Sequence, residues 1–180
     1  MKNLIITLCA LFALTTGSVA QHKTTKQKNM IAYFSATGTT KAVAQKIVQA
    51  TGGTLVAITP TSAYTAADLD WHDQKSRSTI EMKNPKARPT IKKAPATDGY
   101  SVVYIGFPIW WDEAPRVINT FIESHNLKGA KIVPFATSGG STINNSVKVL
   151  RQTYPTLNWQ TGKLLNNPSQ KTIDSWVKQF

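Results

Sequence analysis

The sequence predicts an α/β protein, a three-layer, doubly wound sheet of five parallel strands, and three observations carry that expectation. Apolar runs of strand length alternate with segments of helical periodicity from residue 30 to the C-terminus. Two of those runs, Val102 to Phe107 and Ile132 to Ala136, are almost unbroken, as in strands covered on both faces. The turns after Phe34, Phe107 and Ala136 are unusually rich in Gly, Ser, Thr and Trp. In a doubly wound sheet, ligands bind at such carboxyl ends, where the strand order reverses.

The first strand is Met30-Ile31-Ala32-Tyr33-Phe34, followed by a polar turn with Gly38. A helix comes next, with Val43, Ile47 and Ala50 on one face, and Gly52-Gly53 stops it. Leu55 to Ile58 is the second strand, ended by Pro60, and completes a βαβ unit whose crossover is expected to be right-handed. Between Thr61 and Gly99 the pattern weakens. A helix from about Ala66 to Ile80 is expected there, then a loop broken by Pro85, Pro89 and Pro95. The third strand, Val102 to Phe107, ends at Pro108, and a helix begins near Pro115 and buries Val117, Ile118, Phe121 and Ile122. Ile132 to Ala136 is the fourth strand. Thr142 or Asn144 can cap a helix carrying Val147 and Leu150, and a fifth strand precedes a last helix with Ile173, Trp176 and Val177.

The first twenty residues read as a separate segment. Lys2 follows the start, Leu4 to Leu14 is a near-continuous apolar run, and Ser18-Val19-Ala20 offers a cleavage site before Gln21. The organisation expected is therefore a signal peptide over 1–20, a polar tail over 21–28 and one domain over 29–180, with export to the periplasm or the outside. Cys9, the only cysteine, lies inside the apolar run after Leu8, so it does not mark a lipoprotein site, and cleavage leaves a chain without thiols or disulfides. No later stretch is long and apolar enough to span a bilayer. Twenty of the twenty-one Lys and Arg and all nine acidic residues follow Ala20, which gives the mature chain a net charge of +11. That balance favours acidic partners, or an anionic membrane face, over basic ones. The basic residues gather at Lys23, Lys26 and Lys28 and again between Lys83 and Lys93 without interleaved aromatics, so nucleic acid is not expected as a partner.

Three loops carry the chemistry. Ser35-Ala36-Thr37-Gly38-Thr39-Thr40 joins the first strand to the first helix. Its four hydroxyls, a glycine able to take positive φ and the free N–H groups of a helix N-terminus suit a phosphate better than a simple cap requires. The sequence lacks the Gly-Lys-Ser/Thr loop of nucleotide triphosphate sites and the triple-glycine turn of NAD sites. The second loop, Pro108-Ile109-Trp110-Trp111, places two tryptophans just past a buried strand, where an indole can stack on a flat ring system for about 0.5–1.5 kcal/mol beyond its burial. One of the two is expected to stack and the other to pack under the following helix. The third loop, Thr137-Ser138-Gly139-Gly140-Ser141, offers backbone N–H donors and close approach.

Taken in this order and spacing, from Met30 to Phe180, the three motifs resemble the flavodoxin family, most closely its short members whose flavin loop reads Pro-Ile-Trp-Trp. The resemblance implies a flavodoxin-like sheet of order 2-1-3-4-5 and non-covalent FMN. It places the phosphate on the first loop and the isoalloxazine between the second and third. The chain departs from electron-carrier flavodoxins in being basic rather than acidic, so their partners do not transfer. The function expected is electron transfer to a redox partner protein, an acidic one, or FMN-dependent reduction of a small-molecule electron acceptor. The competing class is a cofactor-free binding module on the same fold. No catalytic side chain is expected: His72 and His125 lie outside the three loops, and His22 belongs to the tail. No metal is expected either.

Overall fold

The computed structural model describes residues 27–180, so the expected signal peptide and all of the polar tail except Gln27 and Lys28 lie outside the described residues. The strands are β1 (Asn29–Tyr33), β2 (Thr54–Ala57), β3 (Val102–Pro108), β4 (Lys131–Thr137), β5 (Asn158–Trp159) and β6 (Lys163–Leu164). The helices are α1 (Thr39–Thr51), α2 (Arg77–Lys83), α3 (Arg116–Glu123), α4 (Asn144–Thr153) and α5 (Gln170–Val177). All pairings in the sheet are parallel, in the order β2-β1-β3-β4-β5, with β6 also on β4. The expected order is thus observed.

Alternation along the strands sends one set of side chains to each face. Ile31, Tyr33, Val102, Tyr104, Val133 and Phe135 meet Val43 and Ile47 of α1 and Ile173 and Trp176 of α5. Met30, Ala32, Val103, Ile105 and Ile132 meet Val117, Ile118 and Phe121 of α3 and Val147 and Leu150 of α4. Those two cores make the three layers. Gly106 is fixed by the first of them, because a Cβ there would lie 2.1 Å from the ring of Phe135, which is itself fully buried. Gly106→Ala is therefore expected to destabilise the protein by about 1–3 kcal/mol, read from urea unfolding. A change below about 0.5 kcal/mol would show that the ring can move aside.

The far edge differs from the single fifth strand expected. Gln160 N–H donates to the Ile132 carbonyl and Leu165 N–H to the Ala136 carbonyl, each at 2.8 Å. Residues 132, 134 and 136 therefore turn their backbone groups toward this edge, and Pro134 has no N–H to offer it. The edge is interrupted opposite that proline and becomes the two short pieces β5 and β6.

The stretch read as a helix over about Ala66 to Ile80 is also different: a short 3-10 turn, Ala67–Leu69, and then α2. Acidic side chains between them bind backbone that a helix would need. Asp70 Oδ1 accepts from His72 N–H at 2.9 Å and Asp73 Oδ1 from Lys75 N–H at 2.8 Å, so turns replace the helix until Ser76 caps α2. At α4 neither expected cap operates, since Ile143 holds the cap position without a side-chain bond. The first helix, by contrast, runs as expected from the Gly38 turn to Gly52, whose N–H closes on the Val48 carbonyl at 2.8 Å.

Candidate cofactor site

The carboxyl ends of β1, β3 and β4 bring the three loops together. Phe34 N–H still bonds the Gly106 carbonyl at 2.9 Å, and the chain then leaves the sheet. Ser35 Oγ accepts from Gly38 N–H at 3.1 Å, closing a tight turn in which Gly38 takes φ +93°, a conformation that side chains disfavour. The first bond within α1 runs from Ala42 N–H to the Gly38 carbonyl at 3.1 Å. The N–H groups of Thr39, Thr40 and Lys41 precede that bond and are left at the positive end of the helix dipole.

The four hydroxyls expected to surround a phosphate divide into two pairs. Thr37 and Thr39 are exposed, with their Oγ1 atoms 3.5 Å apart. Ser35 Oγ holds the turn instead, and Thr40 is buried with its Oγ1 2.9 Å from that of Thr137. Thr40 and Thr137 thus tie the start of α1 to the end of β4, an arrangement that spacing in sequence does not reveal.

In the second loop, Ile109 N–H donates to the Thr137 carbonyl at 2.9 Å, and Trp110 and Glu113 exchange both backbone bonds at 3.0 Å. Trp111 at φ +46° and Asp112 at φ +63° form the intervening turn, both in the left-handed region, as in a type I′ turn. Neither residue is a glycine, so the turn is strained and depends on its surroundings. Ser146 Oγ and Asn145 Nδ2 of α4 donate to the Asp112 carbonyl at 3.0 and 3.3 Å. Buried Arg116 donates to Glu113 and to the Met82 carbonyl, both at 2.8 Å. These contacts lock the Trp turn to α4 and to the end of α2.

The two tryptophans stand in different surroundings. Trp110 is half-buried, with its ring edge-on to Phe34 at 5.5 Å and to Tyr64 at 5.2 Å, yet it also lines the cleft between the loops. Trp111 is 45 % exposed. Tyr64 is held in turn by Glu81, which accepts a hydrogen bond from its phenol, and by the Arg77 guanidinium 4.0 Å over its ring. Burial and the Glu81 carboxylate push the Tyr64 phenol above its usual range, so it stays a neutral donor.

The third loop is built around Ser138, whose Oγ accepts from Gly140 N–H at 3.1 Å and Ser141 N–H at 2.8 Å. Its backbone is clamped by Asn166, which accepts from Ser138 N–H at 2.9 Å and donates to the Ser138 carbonyl at 2.8 Å. A Cβ at Gly139 or Gly140 would meet nothing within 4 Å, and neither has positive φ, so neither the fold nor the packing demands glycine there. The missing side chains leave open space beside the cleft.

That cleft, about 490 Å³, is lined from all three loops: Ala36, Thr37, Thr39 and Thr40, then Pro108, Ile109 and Trp110, then Thr137, Ser138 and Gly139. Ser35 and Gly38 face a neighbouring space of about 240 Å³ shared with Lys41, and Trp111 one of about 390 Å³. Gly140 and Ser141 line none of the three. Asn166 and Asn167, after β6, complete the main cleft and were not foreseen; the run Asn166-Asn167-Pro168 after a short apolar segment is the signal that could have found them. No Asp or Glu lines the cleft, which leaves the helix N-terminus uncompensated and receptive to an anion. Among the described residues there is no group of three or more His, Asp and Glu suited to a metal, and no helix long and apolar enough to cross a membrane.

Comparison with known proteins agrees with this architecture. No curated protein matches the sequence. Two solved structures of candidate flavoproteins are close to it. That from Bacteroides uniformis ATCC 8492 is 51 % identical over 84 % of this chain and 98 % of its own, with a TM-score of 0.82. That from Bacteroides eggerthii DSM 20697 is 55 % identical over 84 % and 96 %, with a TM-score of 0.80. A flavoprotein from Lactobacillus acidophilus NCFM, solved in complex with FMN, shares the fold at 22 % identity over 84 % and 99 %, with a TM-score of 0.66. The family model described as flavodoxin matches residues 28–180, the whole of the sheet and its helices, and the chain accordingly belongs to the flavodoxin family.

Proposed function

We propose that this protein binds FMN non-covalently in the cleft between the three loops and serves as an exported redox protein. The observation that carries the reading is the convergence, in one acid-free cleft, of a helix N-terminus with two exposed threonine hydroxyls and a half-buried indole. The N–H groups of Thr39 to Lys41 and the hydroxyls of Thr37 and Thr39 would hold the phosphate. Trp110 and Ile109 on one side and the backbone of Ser138 and Gly139 on the other would hold the ring system. The FMN of the Lactobacillus acidophilus protein supports this choice of ligand. Bound FMN supplies electron-transfer chemistry that no side chain of the cleft possesses. The chain's own part is to orient the ligand, keep the phosphate in a positive field and shield one face from water.

The partner is an acidic redox protein, as the strongly positive mature charge favours, or a small-molecule acceptor. Export rests on the N-terminal segment, whose single Lys2 and lack of paired arginines resemble the general secretory signal.

Titration of the purified protein with FMN, followed by flavin absorbance and fluorescence, tests the cofactor. A protein that ignores FMN would instead be a binding module on the same fold. Within that titration, Trp110→Ala is expected to relieve flavin quenching and also to cost about 1–3 kcal/mol of stability, because the same ring faces the cleft and packs on Phe34 and Tyr64. Trp111→Ala is expected to leave stability within about 0.5 kcal/mol. Equal losses of stability for the two would mean that the Trp turn, rather than the buried ring, supports the loop.

A further inference from the structure

The space of about 390 Å³ beside the cofactor cleft lies between the Trp turn and the segment that leads into α2. Trp71, Trp110 and Trp111 line it with Leu69, Pro108 and Ile109, and its polar side chains are Thr37 and Ser78. Two of those indoles are strongly exposed, Trp71 at 64 % and Trp111 at 45 %, although neither is needed by the core. Adjacent exposed aromatics around a concavity mark a binding site rather than scattered surface.

Trp71 is not a loose side chain. The ring of His72 stacks against it, with centroids 3.5 Å apart, and His72 N–H is fixed by Asp70 at 2.9 Å. The Trp111 turn is equally fixed, by Ser146 and Asn145. The cleft is therefore bounded by indoles whose backbone is held by nearby hydrogen bonds. No charged side chain lines it, which suits an uncharged ring. The hydroxyls of Thr37 and Ser78 can donate to carbonyl oxygens.

We propose that this cleft is a second ligand subsite, taking a flat, uncharged aromatic molecule that carries carbonyl oxygens, the quinone class. The subsite rests on the FMN reading in one respect: Thr37, Pro108, Ile109 and Trp110 line both clefts, so a ligand here would lie next to the cofactor.

Menadione is the probe, titrated calorimetrically into the Cys9→Ser protein, which lacks the only thiol, with and without saturating FMN. Menadione is expected to bind alongside FMN, and cyclohexanedione, which has the carbonyls without the aromatic plane, is expected not to bind. Trp71→Ala should weaken menadione about tenfold while FMN affinity stays within about twofold, and Trp71→Phe should recover most of the loss. FMN binding without menadione binding, one-for-one competition between the two, or indifference to Trp71→Ala overturns the subsite and leaves the FMN reading standing. Trp71-dependent menadione binding by a protein that ignores FMN supports the aromatic site and overturns the cofactor reading instead.

Discussion

Thr37→Val combined with Gly38→Ala is expected to weaken FMN about a hundredfold and to leave riboflavin within about threefold, because the loss falls on the phosphate alone. The valine removes one of the two exposed hydroxyls. The alanine acts differently from a clash: a Cβ at Gly38 would meet nothing within 4 Å, but the φ of +93° is one that alanine resists. Left-handed backbone costs a residue with a Cβ about 1–2 kcal/mol, so the turn that aims the first N–H groups of α1 would relax. Thr37→Val alone isolates the hydroxyl, with roughly a tenfold loss of FMN. Titration of both ligands against all three proteins decides it, with melting temperatures as the control for folding. Equal losses of FMN and riboflavin would place the phosphate elsewhere.

The second large effect is on stability. The phosphate loop is held by the Thr40 to Thr137 bond across the assembled sheet as well as by its own turn, and the third loop is held by Asn166. None of the buried apolar residues of either core belongs to those two loops. The protein is therefore expected to refold without flavin and then to gain stability from FMN as mass action requires, about 2.7 kcal/mol at a hundred times Kd. For a domain of this size that is a rise in melting temperature of roughly 5–11 °C, growing with each further increase in FMN. This order of events also suits the proposed export of an unfolded chain, which can acquire the cofactor only after folding. The check is to unfold the protein, strip the flavin, refold it and record melting curves at several FMN concentrations. Failure to refold without flavin would make FMN part of the folding reaction, and an unmoved melting temperature would remove FMN from the site.

The sequence by itself determined the first four strands of the sheet. Unbroken apolar runs at Val102 to Phe107 and Ile132 to Ala136 can be buried on both faces only as inner strands, and β1 and β2 followed from the helix between them. It also determined which loops meet, because parallel strands place all their carboxyl ends on one edge. Local chemistry read well where a residue acts on its neighbours, as at the Gly38 turn and the Gly52 stop.

What the tertiary structure decided were the matters settled between residues far apart in the chain. Which hydroxyls remain available depended on Thr40 meeting Thr137, 97 residues away, and Asn166 acquired its role from Ser138, 28 residues away. Pro134 split the last strand because the missing N–H happened to face that edge, a matter of register. The helix expected over about Ala66 to Ile80 forms only from Arg77, because Asp70 and Asp73 bind the backbone N–H groups of His72 and Lys75, and the same departure delivered Trp71 to the cleft. The Trp turn makes the same point: Trp111 and Asp112 have no local reason to adopt positive φ, and α4 together with the Arg116 to Glu113 pair holds them there. Periodicity reports which face of an element is apolar, but hydrogen-bond partners and strained backbone are fixed only when the elements pack, since only packing decides which polar groups are left to pair.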